Sequence, residues 1–206
     1  LVVRSLTGIV FVAVLVGGTL YSPLTFTVLF ALITGLSVWE FSTNVNNHAG
    51  ASVNRLINTV AGVYLFLAFS GYCADFVKPD AFIPYLVSIM YLLISELYLQ
   101  KRNPLKNWAY AFASQIYVAL AFSLLNVLAF QYNPLINRTE FLPIYALSIF
   151  IFLWTSDSGA YLCGFHAPQV FPCQTFSAHF AQQVMGRQHW RRTFVFGCRH
   201  PALAFQ

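Results

Sequence analysis

Charged side chains are scarce in this sequence. Only 8% of its 206 residues are Asp, Glu, Lys or Arg, whereas 58% are hydrophobic. An ordinary soluble domain carries about a quarter charged residues. So few charges cannot cover the surface of a soluble globule of this length, which excludes a soluble enzyme or a soluble binding module. The composition instead indicates an integral membrane protein.

Paired cysteine spacings are absent as well. The sequence has four cysteines, and no two of them form a C-x-x-C pattern. A zinc site or a disulfide framework is therefore not indicated. Cys73 and Cys163 have apolar neighbours in the sequence, where a thiol usually acts as a small packing group.

What the sequence does have is a series of long apolar runs between short polar breaks. A helix needs about 20 apolar residues to cross a bilayer. Six runs reach or approach this length: residues 3–20, 24–41, 56–72, 81–99, 108–130 and 141–155. No strand-like alternation competes with a helical interpretation. The sequence predicts an all-α, polytopic membrane domain with about six transmembrane helices over residues 1–164, the sixth ending at S-D-S-G.

The basic residues predict the orientation of these helices. Lys and Arg near helix ends favour the cytoplasmic side, and alternate breaks lie on opposite sides. One side carries Arg4, Arg55, Lys101, Arg102 and Lys106, and the other carries Lys78 and Arg138. We therefore expect a multi-pass protein of the cell inner membrane with its N-terminus in the cytoplasm. The sixth helix would then bring Asp157 to the cytoplasmic face.

Acids are few, and each can be considered in turn. The six are Glu40, Asp75, Asp80, Glu96, Glu140 and Asp157. Asp75, Asp80 and Glu140 belong to the breaks on the outer side and are interpreted as solvated loop residues. Glu40 and Glu96 lie near cytoplasmic helix ends, where each could be interfacial or could line a site.

Asp157 is the acid most suited to chemistry, because it closes a strongly apolar run. It could simply cap a following helix by accepting backbone N–H bonds. Alternatively it is a functional group, since acids at membrane depth are functional candidates by default. Position alone leaves both interpretations open.

Residues 154–164, W-T-S-D-S-G-A-Y-L-C-G, resemble a segment of the phosphatidate cytidylyltransferases, the CdsA family. Two further segments are similar to bacterial members: R-S-L-T-G at residues 4–8 and S-Q-I-Y-V-A-L at residues 114–120. The number and order of helices also fit. The resemblance covers about residues 1–164, and its chemically specific part surrounds Asp157.

The resemblance implies a nucleotidyltransferase of phospholipid biosynthesis that converts CTP and phosphatidate to CDP-diacylglycerol and pyrophosphate. It implies Mg²⁺ as the cofactor and Asp157 as a catalytic and metal-binding residue. Ser156, Ser158 and Tyr161 would bind substrate. Membrane lipid is the expected surrounding, nucleic acid is not an expected partner, and the resemblance leaves room for a homodimer.

Residues 165–206 have a different character from the rest of the chain. They contain four Arg and no acid, and they lack the S-P-x-K-S-W-E-G-type segment with which family members continue. Reading the codons of residues 178–192 one nucleotide later permits R-I-S-P-N-K-S-W-E-G-S-I-G-G. The Trp in this string is forced by Met185-Gly186, and a Gly is forced by Trp190-Arg191.

We therefore expect a frameshift shortly after Gly164. The tail would be poorly ordered, its Arg, His and Cys would not be ligands, and this polypeptide would have little or no activity. Three alternatives remain open: a non-enzymatic multi-pass protein such as a transporter fragment, another CTP-using lipid enzyme such as a polyprenol kinase, and a purely structural membrane scaffold.

Overall fold

The computed structural model describes residues 2–98 and 103–166, most of which are helical. The helices are α1 (Val2–Tyr21), α2 (Pro23–His48), α3 (Arg55–Cys73), α4 (Ile83–Tyr98), α5 (Pro104–Ser114), α6 (Ala121–Ala129) and α7 (Pro143–His166). A 3₁₀ turn, Pro79–Phe82, leads into α4, and a π-helical turn, Gln115–Leu120, joins α5 to α6. Two strands follow α6: β1 (Phe130–Asn133) and β2 (Arg138–Phe141).

Four helical segments of the described residues are long and apolar enough to cross a membrane. They are Pro23–His48, Arg55–Cys73, Pro79–Tyr98 and Pro104–Ala129, and a shorter apolar helix covers Thr7–Tyr21. A mostly helical membrane protein is therefore confirmed. The count of about six spans stays a prediction.

The expectation of an all-α chain without strands is wrong at one place. β1 and β2 form an antiparallel hairpin in which Phe130 pairs with Phe141 and Asn133 pairs with Arg138. The reason is local: proline lacks the N–H that a helix needs, and Pro134 follows β1 directly. Asn137 then takes a positive φ of 52°, a conformation that asparagine tolerates in turns.

The start of α2 follows from its first residues, whereas its end does not follow from hydropathy. The Ser22 side chain accepts a hydrogen bond from the backbone N–H of Leu24, and Pro23 occupies the first turn, where its fixed φ suits a helix. The apolar run stops at residue 41, but the helix continues to His48. Polar side chains do not by themselves end a helix, and Gly50, with a φ of 62°, comes only after it.

Aromatic rings fill one end of the packing between α2 and its neighbours. The rings of Phe26 and Phe30 are 4.8 Å apart, and both side chains are fully buried. Phe141 approaches Phe26 at 5.5 Å, and Phe150 stacks on Phe30 at 5.6 Å. Phe122 lies 6.4 Å from Phe30. We call these five residues the aromatic cluster.

The chain divides by its internal contacts into Leu1–Ile151 and Phe152–Gln206. The described part of the second unit is the last part of α7, up to His166. The predicted tail, 165–206, lies outside the described residues except for its first two positions. The boundary after residue 164 and the disorder of the tail therefore stay predictions.

Candidate active site and buried polar networks

Helix α7 carries the predicted catalytic segment and runs through it without a break. The sequence predicts that the sixth helix ends at residues 156–159, but α7 continues to His166. Asp157 therefore lies inside a helix and is not an N-cap, so the capping interpretation is wrong. The residues after Gly159 include Ala, Leu and Tyr and no proline before residue 168, so the backbone hydrogen bonds can continue.

The polar side chains next to Asp157 on α7 are exposed at the surface. Ser156, Asp157 and Ser158 are all exposed. As neighbours on an α-helix they point about 100° apart, so the two hydroxyls flank the carboxylate on either side. Tyr161 is one turn further along, at a position on the same side of the helix as Asp157. The side chain of Tyr161 lies outside the described residues.

No group of three or more His, Cys, Asp or Glu that could hold a metal occurs within the described residues. Asp157 is accordingly a single carboxylate on its helix. Mg²⁺ is commonly held by one or two carboxylates together with substrate phosphates and water. The donor set therefore fits an ion that arrives with a nucleotide, and it does not fit an all-protein cage.

The acids of the loops behave largely as the sequence suggested. Asp75 and Asp80 are exposed, as is Glu40 on α2. Glu140 is partly buried, and its carboxylate accepts a hydrogen bond from the Asn133 amide at 3.1 Å. Glu140 thus stabilises the hairpin rather than standing free in a loop.

Glu96 is different, because its side chain is only 5% exposed. Its Oε2 accepts a 2.7 Å hydrogen bond from the Asn107 side chain at the start of α5. The same Asn107 Nδ2 donates to the Ser52 hydroxyl, and Asn107 Oδ1 accepts from the Ser52 backbone N–H. Glu96 and Asn107 therefore link α4 and α5 to Ser52, in the loop between α2 and α3. We call Ser52, Glu96 and Asn107 the loop tie.

A second network lies deeper, between α2, α3 and α5. Asn58 Nδ2 donates to the hydroxyls of Ser42, at 2.9 Å, and Ser114, at 2.7 Å. Gln115 Nε2 donates to both the backbone oxygen and the side-chain oxygen of Asn58. Each of the four side chains is 2% exposed or less. We call Ser42, Asn58, Ser114 and Gln115 the amide network.

The amide network was not predicted from the sequence, although one signal pointed to it. Ser114 and Gln115 form a polar pair inside an apolar run, within the segment that resembles the family at residues 114–120. Gln115 also opens the π-helical turn, and single π turns inside α-helices often mark functional or specialised positions. The partner, Asn58, comes from another helix, so its distance could not be read from spacing.

Gly62 allows the close approach that the amide network needs. A Cβ at this position would lie 3.2 Å from Ala119 Cβ and 3.2 Å from Val38 Cγ2. It would also lie 3.6 Å from Gln115 Oε1. The lack of a side chain therefore lets α3 pack directly against the π turn and α2.

Comparison with known proteins gives one match. The sequence model of the Cytidylyltransferase family matches residues 2–170, which include the three resembling segments and Asp157. No curated protein and no solved structure matches the chain. The family supports a CTP-using nucleotidyltransferase, and the apolar helices place it among membrane proteins. Because the match covers most of its length, the chain belongs to the Cytidylyltransferase family.

Proposed function

We propose that this protein makes CDP-diacylglycerol and pyrophosphate from CTP and phosphatidate. A phosphate oxygen of phosphatidate forms a bond to the α-phosphorus of CTP, the bond between that phosphorus and the oxygen bridging to the β-phosphorus breaks, and pyrophosphate leaves. The observation that carries the proposal is the family match over residues 2–170. A lipid acceptor also suits a chain built from membrane-spanning helices.

Asp157 is the proposed catalytic and metal-binding residue. Its carboxylate is exposed on α7 and can therefore reach a ligand. Mg²⁺ bound with the nucleotide would neutralise phosphate charge while pyrophosphate departs. The Ser156 and Ser158 hydroxyls would donate hydrogen bonds to phosphate oxygens, and Tyr161 is proposed to bind substrate one turn away.

The proposed chemistry requires Asp157 to face the cytoplasm, where CTP is found. The alternation of spans and the excess of basic residues on one side support that orientation. A reporter that is active only in the cytoplasm, fused after Gly164, should be active. Activity of a reporter that works only outside the cytoplasm, fused at the same residue, would reverse the orientation.

The first experiment should establish the reading frame after residue 164, because the proposed activity depends on it. Sequencing the DNA for residues 164–206 should reveal an open frame, shifted by one nucleotide, that encodes the S-P-x-K-S-W-E-G-type segment. Stop codons in that frame, or a segment without this motif, would make the present tail the true one. In that case the chain as written is the form to assay.

The decisive experiment measures CDP-diacylglycerol formed from labelled CTP and phosphatidate in membranes. We expect turnover from the gene with its reading frame restored and little from the chain as written. Asp157→Asn should reduce turnover by about 100-fold or more, the usual loss when a group that stabilises transition-state charge is removed. The matched control is Asp75→Asn, the same chemical change at an exposed turn whose φ of 61° suits asparagine.

Each result has a distinct meaning. Full turnover by the Asp157→Asn variant would make the catalytic assignment wrong while leaving the reaction intact. Turnover of a polyprenol but not of phosphatidate would replace the proposed acceptor and keep the family. Turnover of neither acceptor in either frame would favour a non-enzymatic membrane protein.

A further inference from the structure

The tip of the β1–β2 hairpin exposes apolar side chains. Leu135 is 92% exposed and Ile136 is 51% exposed, and the neighbouring Tyr132 is 62% exposed. Hairpin tips that face water are usually built from Gly, Asn, Asp and Ser. We call Tyr132, Leu135, Ile136 and Arg138 the hairpin tip.

The base of the hairpin is held firmly against the helices. The ring of Phe141 contacts Phe130 at 5.2 Å and Phe26 of the aromatic cluster at 5.5 Å. The backbone N–H of Leu142 donates to the carbonyl of Ala129 at 2.7 Å, which closes the base. The Tyr132 hydroxyl and the Asn137 side chain are hydrogen-bonded across the tip. The tip is therefore a fixed extension of the end of α6.

The hairpin is short and begins where a candidate span ends. The span Pro104–Ala129 stops at the residue before β1. Each strand has four residues, and Leu135 is the sixth residue after the end of α6, so it lies within about 20 Å of that end at about 3.3 Å per residue. The polar zone of a bilayer is about 5–8 Å thick on each side. A hairpin lying along the membrane surface would keep its tip within that zone.

The chemistry of the tip fits lipid better than water. Tyrosine is enriched at membrane interfaces, where its ring and hydroxyl meet different surroundings. The exposed Arg138 complements lipid phosphates, which attract basic residues close to the membrane. The carboxylate of Glu140 meanwhile accepts a hydrogen bond from Asn133 within the hairpin.

We propose that the hairpin tip lies in the lipid interface of the leaflet in which α6 ends. Leu135 and Ile136 contact the upper part of the acyl chains, and Arg138 lies at the level of the phosphates. The partner is therefore the bilayer itself. This inference is independent of the reaction proposed above.

Spin labels can test the position of the tip in the full chain. Labels are attached to cysteines at Leu135 and at Ile136, in separate variants whose native cysteines are replaced, in vesicles of phosphatidylcholine and phosphatidylglycerol. Matched labels at the exposed residues Lys78, which precedes the candidate span Pro79–Tyr98, and Leu86, on α4, provide the aqueous and membrane references. Accessibility to oxygen is compared with accessibility to a water-soluble nickel chelate.

We expect both tip labels to give an oxygen-to-nickel ratio clearly above that at Lys78 and below that at Leu86. A ratio equal to that at Lys78 at both tip positions would show that the tip is in water and would overturn the proposal. Strong spin–spin broadening between labelled chains would show that a second copy covers the tip, and would overturn it as well. Because the labelled side chains are exposed, the substitutions should leave the fold intact, which circular dichroism checks.

Discussion

The two ends of α2 pack against neighbouring elements on different principles. The aromatic cluster holds one end through large apolar rings around Phe30, which is fully buried. The amide network holds the other end through directed hydrogen bonds around Asn58, which is equally buried. Lipid is as apolar as a phenylalanine ring, so only the shape of the aromatic cluster favours one arrangement of helices. The amide network adds direction, because its donors and acceptors must face each other.

This difference predicts which substitutions each end should tolerate. An aromatic cluster should accept another apolar side chain of similar volume and should fail when volume is lost. A hydrogen-bond network should fail when its polar atoms are lost, even if volume is kept. Three substitutions separate these behaviours, and the free energy of unfolding can be measured for each in mixed micelles by titration with dodecyl sulfate.

The largest effect is expected for Phe30→Ala. Removing a fully buried ring that contacts Phe26, Phe122 and Phe150 leaves a cavity, and such changes typically cost about 3–5 kcal/mol. The control, Phe30→Leu, keeps most of the volume and should cost less than half as much. Equal losses for both variants would show that ring geometry, rather than volume, stabilises this end.

Asn58→Leu should have the next largest effect, because it keeps the volume but removes the amide. Asn58 makes hydrogen bonds to Ser42, Ser114 and Gln115, and their loss should cost about 2–3 kcal/mol. The matched control is Asn126→Leu. Asn126 is also fully buried, but its side chain donates one hydrogen bond, to the Ser123 carbonyl.

The Asn126 variant should therefore lose clearly less stability than the Asn58 variant. If Asn58→Leu were neutral or stabilising, the amide end would be held by shape alone and the contrast between the two ends would disappear. If both variants lost the same amount, burial of the amide rather than its partners would determine the cost.

The smallest effect is expected for Gly62→Ala. The added methyl would approach Ala119 Cβ and Val38 Cγ2 at 3.2 Å, and such overpacking typically costs about 1–3 kcal/mol. Gly17→Ala on α1 is the control, since nothing lies within 4 Å of its added Cβ. There we expect a small gain, because alanine favours a helix over glycine by about 1 kcal/mol. A gain at Gly62 as well would mean that α3 moves away from the π turn without penalty.

Hydropathy predicted much of the helical framework, because lipid forces backbone hydrogen bonds to be satisfied within each segment. It therefore located the spans that contain Asn58 and Gln115, but it could not locate helix ends. α2 continues through seven further polar and apolar positions to His48, and α7 passes through Asp157. A helix ends where its backbone geometry changes, and a polar side chain does not require that change.

The candidate site and the buried networks likewise include residues that the sequence predicts and contacts that it does not. Asp157 is predicted from the sequence because an acid after an apolar run is rare and because its neighbours resemble the family. The links from Asn107 to Glu96 and from Asn58 to Gln115 were not found, since each joins residues that are distant along the chain. The hairpin was missed because two strands of four residues are too short to produce a visible alternation.

The π turn at Gln115–Leu120 has a consequence for how relatives of this chain should align. A π turn accommodates one more residue than an α turn of the same rise, so it is equivalent to an insertion absorbed within the helix. A relative with a regular helix here should be one residue shorter inside this span. The gap in the alignment would then fall within a membrane helix rather than in a loop, and the faces of α6 would keep their register on either side of it.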